Sequence, residues 1–102
     1  MSVNALRSLD NIWLWSANQF GLAQGDSYLT FLWQNIERLG SEYQKGRPVG
    51  RHRYMLVKRR SKGYGHIVIY LVSASSVEIL EIFHTAQDWH GYIDHLNREN
   101  LN

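Results

Sequence analysis

The chain has 102 residues, 44% of them hydrophobic, with no cysteine and a formal charge of +2. That length suits a single domain, residues 1–102, with one core. The lack of cysteine excludes disulfide staples, thiolate metal sites and cysteine nucleophiles, and the five His are scattered without a metal-ligand spacing, so neither metal nor cofactor is expected.

From Val3 to Phe20 the apolar residues Leu6, Leu9, Trp13, Ala17 and Phe20 recur every three or four positions, with Ile12 widening the stripe, which predicts an amphipathic helix. Ser2 is the candidate cap and Gly21 the stop. A second helix is expected over residues 28–39, on the stripe Leu29, Leu32, Trp33, Ile36 and Leu39, with Asp26 or Ser27 as cap and Gly40 as stop. The short stretch 21–25 between them implies an antiparallel helical hairpin. Trp13, Trp15 and Trp33 fall at helical spacing and are assigned to the core, with exposure toward a partner as the alternative for Trp15, which lies off the main stripe.

Residues 40–50 hold three glycines and the only proline and read as a loop. The helical period then disappears. Residues 53–60 predict a half-exposed strand, His66–Val72 a central strand apolar on both faces, and residues 77–83 a third strand. The connections SKGYG and SASS are short and turn-rich, so the strands form an antiparallel meander. A last short helix is expected over residues 88–97, with Trp89, Ile93 and Leu96 on one side. The fold class is therefore α+β, an N-terminal αα-hairpin packed on a three-stranded antiparallel sheet with a short C-terminal helix.

Charge is distributed unevenly. Eight of the eleven Lys and Arg lie between Lys45 and Lys62, and no acid interrupts the stretch from Glu42 to Glu78. The other three, Arg7, Arg38 and Arg98, stand against all nine Asp and Glu. A focused positive field of this kind attracts phosphates or an acidic polypeptide whatever the net charge. Solvated turn residues are the plain alternative for the run KRRSK, but surface charges normally alternate in sign, and here no acid is interspersed.

The segment V-E-I-L-E-I-F-H-T-A-Q-D-W, residues 77–89, resembles the closing strand of the RelE/ParE toxins, whose ParE-type members commonly show V-E-I-L-R-V-L-H-G-A-R-D. The opening A-L-R-S-L-D-N-I-W, residues 5–13, resembles the A-x-x-D-L-x-x-I-x-x-Y helix of that family. R-S-K-G-Y-G-H-I-V-I-Y, residues 60–70, resembles its middle hairpin. The order of elements matches along nearly the whole chain.

The departures carry chemical weight. Family members usually begin with a strand before the first helix, and here only Met1 precedes Ser2. Glu81 stands where an Arg is typical of the closing strand, and Gln87 where an Arg often precedes the Asp. The RelE-type nucleases place an Arg after the Gly-Tyr of the hairpin and an Arg and a Tyr near the C-terminus. Here those positions hold Gly65, Thr85 and Gly91, with Tyr92 one residue on. RNA cleavage through the 2′-OH needs a base, cations for the charge on phosphorus and an acid for the leaving oxygen. Lys58, Arg60 and His84 would supply that set in a nuclease, with Arg59, Lys62 and His66 as further candidates.

The resemblance implies a ParE-like toxin of a type II toxin–antitoxin system, inhibiting DNA gyrase without catalysis of its own and held inactive by an acidic, partly disordered cognate antitoxin. A RelE-type endonuclease acting on mRNA at the ribosome is the alternative, and an inactivated relative that only binds antitoxin or RNA is a third. Arg51, Arg53, Lys58, Arg59, Arg60, Lys62, Glu81 and His84 are the candidate contacts for antitoxin or target. Assembly as a homodimer or a toxin–antitoxin heterotetramer is compatible with this reading. No apolar run approaches the ~18 residues of a membrane span, and the N-terminus lacks a signal-peptide layout, so a cytoplasmic location without membrane contact is expected.

Overall fold

The structure, a computed structural model, describes residues 1–59, 65–74 and 76–99. The first helix, α1 (Val3–Phe20), has the expected bounds. Ser2 caps it, accepting from Ala5 N at 3.0 Å, and Gly21 ends it at φ 94, a left-handed conformation that favours glycine.

The second helix differs from expectation. α2 spans Leu22–Glu42, so Gly21 alone forms the corner and the anticipated linker is helical. A one-residue corner brings the helix axes close together, and Gly25 is where they meet: a Cβ there would press on Ala17 of α1 at 3.1 Å. Asp26 is not a cap but accepts from Trp13 Nε1 at 2.7 Å, across the hairpin. Gly40 lies inside the helix, which continues to Glu42 and a 3-10 turn, Tyr43–Lys45.

The sheet has four strands rather than three: β1 (Arg47–Val49), β2 (His52–Val57), β3 (His66–Val72) and β4 (Val77–His84), in the order β1-β2-β3-β4. The added strand lies within the expected loop. Three residues with a central proline carry almost no strand signal, yet pairing with β2 (Arg47↔Tyr54, Val49↔His52) forms a ladder. All neighbours are antiparallel, as the short connections require. A bulge between β3 and β4 falls opposite Ile69 and Tyr70, where Ile69 pairs with Glu81 and Tyr70 with Ile79.

Alternation along β3 explains why HIVIYLV is apolar throughout. Val68 and Tyr70 face the helical hairpin and join Ala5, Leu9, Leu32, Ile36, Leu39, Val57, Ile79 and Ile82 in the main core. Ile67 and Ile69 face the other way, onto α3 (Trp89–Glu99), through Ile93 and Trp89. Both faces of the strand are covered. Trp89 packs on Tyr54 with ring centroids 4.7 Å apart, so it joins the last helix to the sheet. Two tryptophans of the hairpin depart from the core assignment, Trp13 being half-buried and Trp33 42% exposed, while Trp15, 44% exposed, follows the alternative given for it.

Candidate functional site

The basic block of the sequence divides in space. Arg51 is exposed in the β1–β2 turn, and Arg53, on β2, donates from Nη1 to Gly46 O at 2.9 Å. Lys58 and Arg59 follow β2 at its far end, about 20 Å away for a strand of six residues. Lys58 is half-buried with its alkyl stem against Gly65. Arg59 reaches across to α2, where it donates to Ser27 Oγ at 2.7 Å and lies 5.7 Å from the centre of the Phe31 ring. A cleft of about 460 Å³ opens there, lined by Asp26, Ser27, Thr30, Phe31, Gln34 and Arg59. Arg60 and Lys62 lie outside the described residues. The two described ends of the block do not form a common patch.

At the Lys58 end of the sheet, His66 and His84 are cross-strand partners with ring centroids 5.5 Å apart. His66 is 4% exposed, and its Nδ1 is 2.6 Å from the Tyr28 hydroxyl on α2. Burial, reinforced by the neighbouring His84 charge, pushes its pKa down to about 4, so the ring is neutral at physiological pH. His84 Nδ1 accepts from Ala86 N at 3.0 Å. A neutral imidazole that accepts at Nδ1 carries its proton on Nε2. Both rings line a cleft of about 450 Å³ between α1 and the end of β4, together with Ser8, Asn11, Ile12, Trp15, Ile82 and Gln87. None of these eight residues is Lys, Arg, Asp or Glu.

Glu81 takes part in none of the ion pairs formed by the described residues. Its Oε1 accepts from Ser8 Oγ at 2.7 Å and from Ile82 N at 3.1 Å, which ties α1 to the bulged strand. The nuclease set of Lys58 and His84 therefore shares one end of the sheet, while Arg51 and Arg53 are remote from it. Tyr28 and Ser8 were missed by sequence reasoning, and Gln87 was noted only for standing where an Arg often precedes the Asp. No local signal marks Tyr28, which stands at the expected start of the second helix and meets His66 only through tertiary packing.

Among the described residues, no group of three or more His, Asp or Glu is placed to hold a metal ion, and no helix is long and apolar enough to cross a membrane. A search of curated proteins finds no match to the chain. The family model described as the ParE toxin of type II toxin–antitoxin system, parDE, matches residues 1–89, from the first helix through the whole sheet to the start of α3. The helical hairpin, the antiparallel meander and the closing strand that suggested this kinship all fall within the matched span, and the chain belongs to the ParE toxin family of type II toxin–antitoxin systems.

Proposed function

We propose that this toxin acts as a stoichiometric inhibitor of DNA gyrase and is neutralised by an acidic cognate antitoxin. Family membership supports the gyrase reading by kinship. The observation that favours inhibition over RNA cleavage is the chemistry of the His66–His84 cleft. Its lining holds no Lys, Arg, Asp or Glu, and the imidazole of His66 is held neutral by burial. Among the described residues, a phosphorus centre gathering negative charge would find no Lys or Arg in that lining to stabilise it. The alternative, ribosome-dependent mRNA cleavage, draws its support from Lys58 lying at the same end of the sheet as His84.

The two readings separate in one experiment. Purified chain is added to gyrase with relaxed plasmid and ATP, and in parallel to ribosomes programmed with a defined message. Loss of supercoiling at near-equimolar toxin with an intact message is the expected result. Normal supercoiling at excess toxin would overturn the gyrase reading, and a cut message would put cleavage in its place.

For the antitoxin, Arg59 is the best-supported contact among the described cations. It is held over Phe31 and makes none of the ion pairs formed by described residues. Arg59→Ala is expected to weaken antitoxin binding by about 1 kcal/mol at low salt, with the difference shrinking as salt is raised. Isothermal titration at two ionic strengths checks this, and equal affinities of variant and parent at low salt would remove Arg59 from the interface.

A further inference from the structure

Ala5, Leu9 and Ser16 are the buried residues of α1 and mark the side on which the helix lies against the rest of the fold. On the opposite side stand Val3, Arg7, Asp10 and Leu14, all exposed, spaced four, three and four residues apart and therefore stacked along one face. Val3 and Leu14, 63% and 53% exposed, leave apolar surface at both ends of that face. Arg7 and Asp10, between them, take part in none of the ion pairs formed by the described residues. Asn4, Asn11 and Asn18 run beside the face at seven-residue spacing, exposed and uncharged. A strand added to the sheet ahead of α1 would lie on the Ala5 and Leu9 side of the helix and leave the outer face open.

The order along the face is apolar, cation, anion, apolar, so its charges read oppositely from the two ends. Laid antiparallel on itself about a two-fold axis at the level of Ser8 and Leu9, the face sets Arg7 against Asp10 of the second copy and Val3 against Leu14 of the second copy, and each pair occurs twice. All four positions then meet their complements, which is the condition for an isologous contact. A parallel pairing in register would set Arg7 against Arg7 and Asp10 against Asp10, like charge on like charge. An acidic segment of another protein would gain at Arg7 and lose at Asp10, so the face suits its own copy better.

We infer that the outer face of α1 is a self-association surface, on which two copies of this chain pair antiparallel through reciprocal Arg7–Asp10 contacts flanked by Val3 and Leu14. The asparagines form an uncharged polar rim on one flank. One helix face of about three turns is smaller than the ~800 Å² per partner of a standard interface, so the dimer is weak. Its charge pairs lie at the surface and respond to salt. The contact draws on neither Arg59 nor the two histidines, and it stands whether or not gyrase is the target.

The test is sedimentation equilibrium at low ionic strength over a concentration series, on the parent, Arg7→Glu, Asp10→Arg and an equimolar mixture of the two variants. Each variant alone sets like charges against each other twice and should associate about fivefold or more weakly than the parent. In the mixture the introduced acid of one copy meets the introduced base of the other, and the native Asp10 meets the native Arg7. Association should then return to about the parental strength, which also shows that both variants are folded. A parent that stays monomeric at every concentration overturns the inference and leaves the face to a different protein. Either variant associating as strongly as the parent overturns it too, as does a mixture that associates no more than its components.

Discussion

Replacing Gly46 with Ala should destabilise the protein by about 3 kcal/mol, because a Cβ at this position would overlap the Tyr70 hydroxyl and crowd its Cζ. Gly46 has φ −71 and ψ 152, so its backbone is open to any residue and the requirement is one of space. Tyr70 is fully buried in the central strand and donates to Tyr43 O at 2.6 Å, which anchors the end of the helical hairpin to the sheet. Burial raises the phenol pKa, opposed by the Arg53 charge and by a hydrogen bond from the Gly46 backbone. Displacing this ring costs packing and leaves a buried hydrogen-bonding group without its partner. Against a total stability of roughly 5–15 kcal/mol, such a loss is large. Urea denaturation checks it, and a double-mutant cycle with Tyr70→Phe locates the cause. Removing the hydroxyl relieves part of the overlap, so the double variant should lose less than the two singles together. A cost for Gly46→Ala below about 0.5 kcal/mol, or strict additivity in the cycle, would show that the hydroxyl is not the obstacle.

Acid should weaken the fold through His66. Its pKa falls from 6.5 to about 4 in the folded chain, chiefly because burial disfavours the charged ring, with His84 adding repulsion. The surroundings on the cleft side, Ser8, Asn11 and Gln87, offer no carboxylate to offset this, and the Tyr28 hydroxyl is a neutral partner. Between the two values the unfolded chain binds the proton and the folded chain does not. Stability therefore declines as pH drops through 6.5 and levels off below about 4, a loss on the order of 3 kcal/mol from this residue. The measurement is the urea midpoint of the parent and of His66→Gln at pH 7, 5.5 and 4.5. The parent should lose stability relative to the variant across that series, and parallel pH profiles would remove His66 as the source.

The parts of the fold that could be read from the sequence are those where one physical rule acted alone. α1 was legible to the residue at both ends because a serine cap, a 3.6-residue stripe and a terminal glycine agree. β3 and β4 were legible because apolar β-branched runs bounded by turn residues fit few other structures. The start of α2 was obscured by two glycines that ordinarily signal a loop. Gly25 is helical for its small volume at the crossing with Ala17, a requirement of the partner helix that leaves no local trace. β1 was hidden by its brevity and its proline, and its strand character comes from β2.

The candidate site divides along similar lines. Sequence alone determined the family, the order of elements and the excess of cations between Lys45 and Lys62, because these are properties of composition and local pattern. Only the tertiary structure decided that β2 separates Arg53 from Arg59 beyond its far end, that Tyr28 meets His66 across 38 residues of chain, and that Glu81 is bound by Ser8 and Ile82 N. Charge and hydrophobic period are additive along a chain and can be read without coordinates. The direction in which a side chain points, and the atom that meets it there, depend on strand register and on how the helices cross, which no stretch of sequence contains by itself.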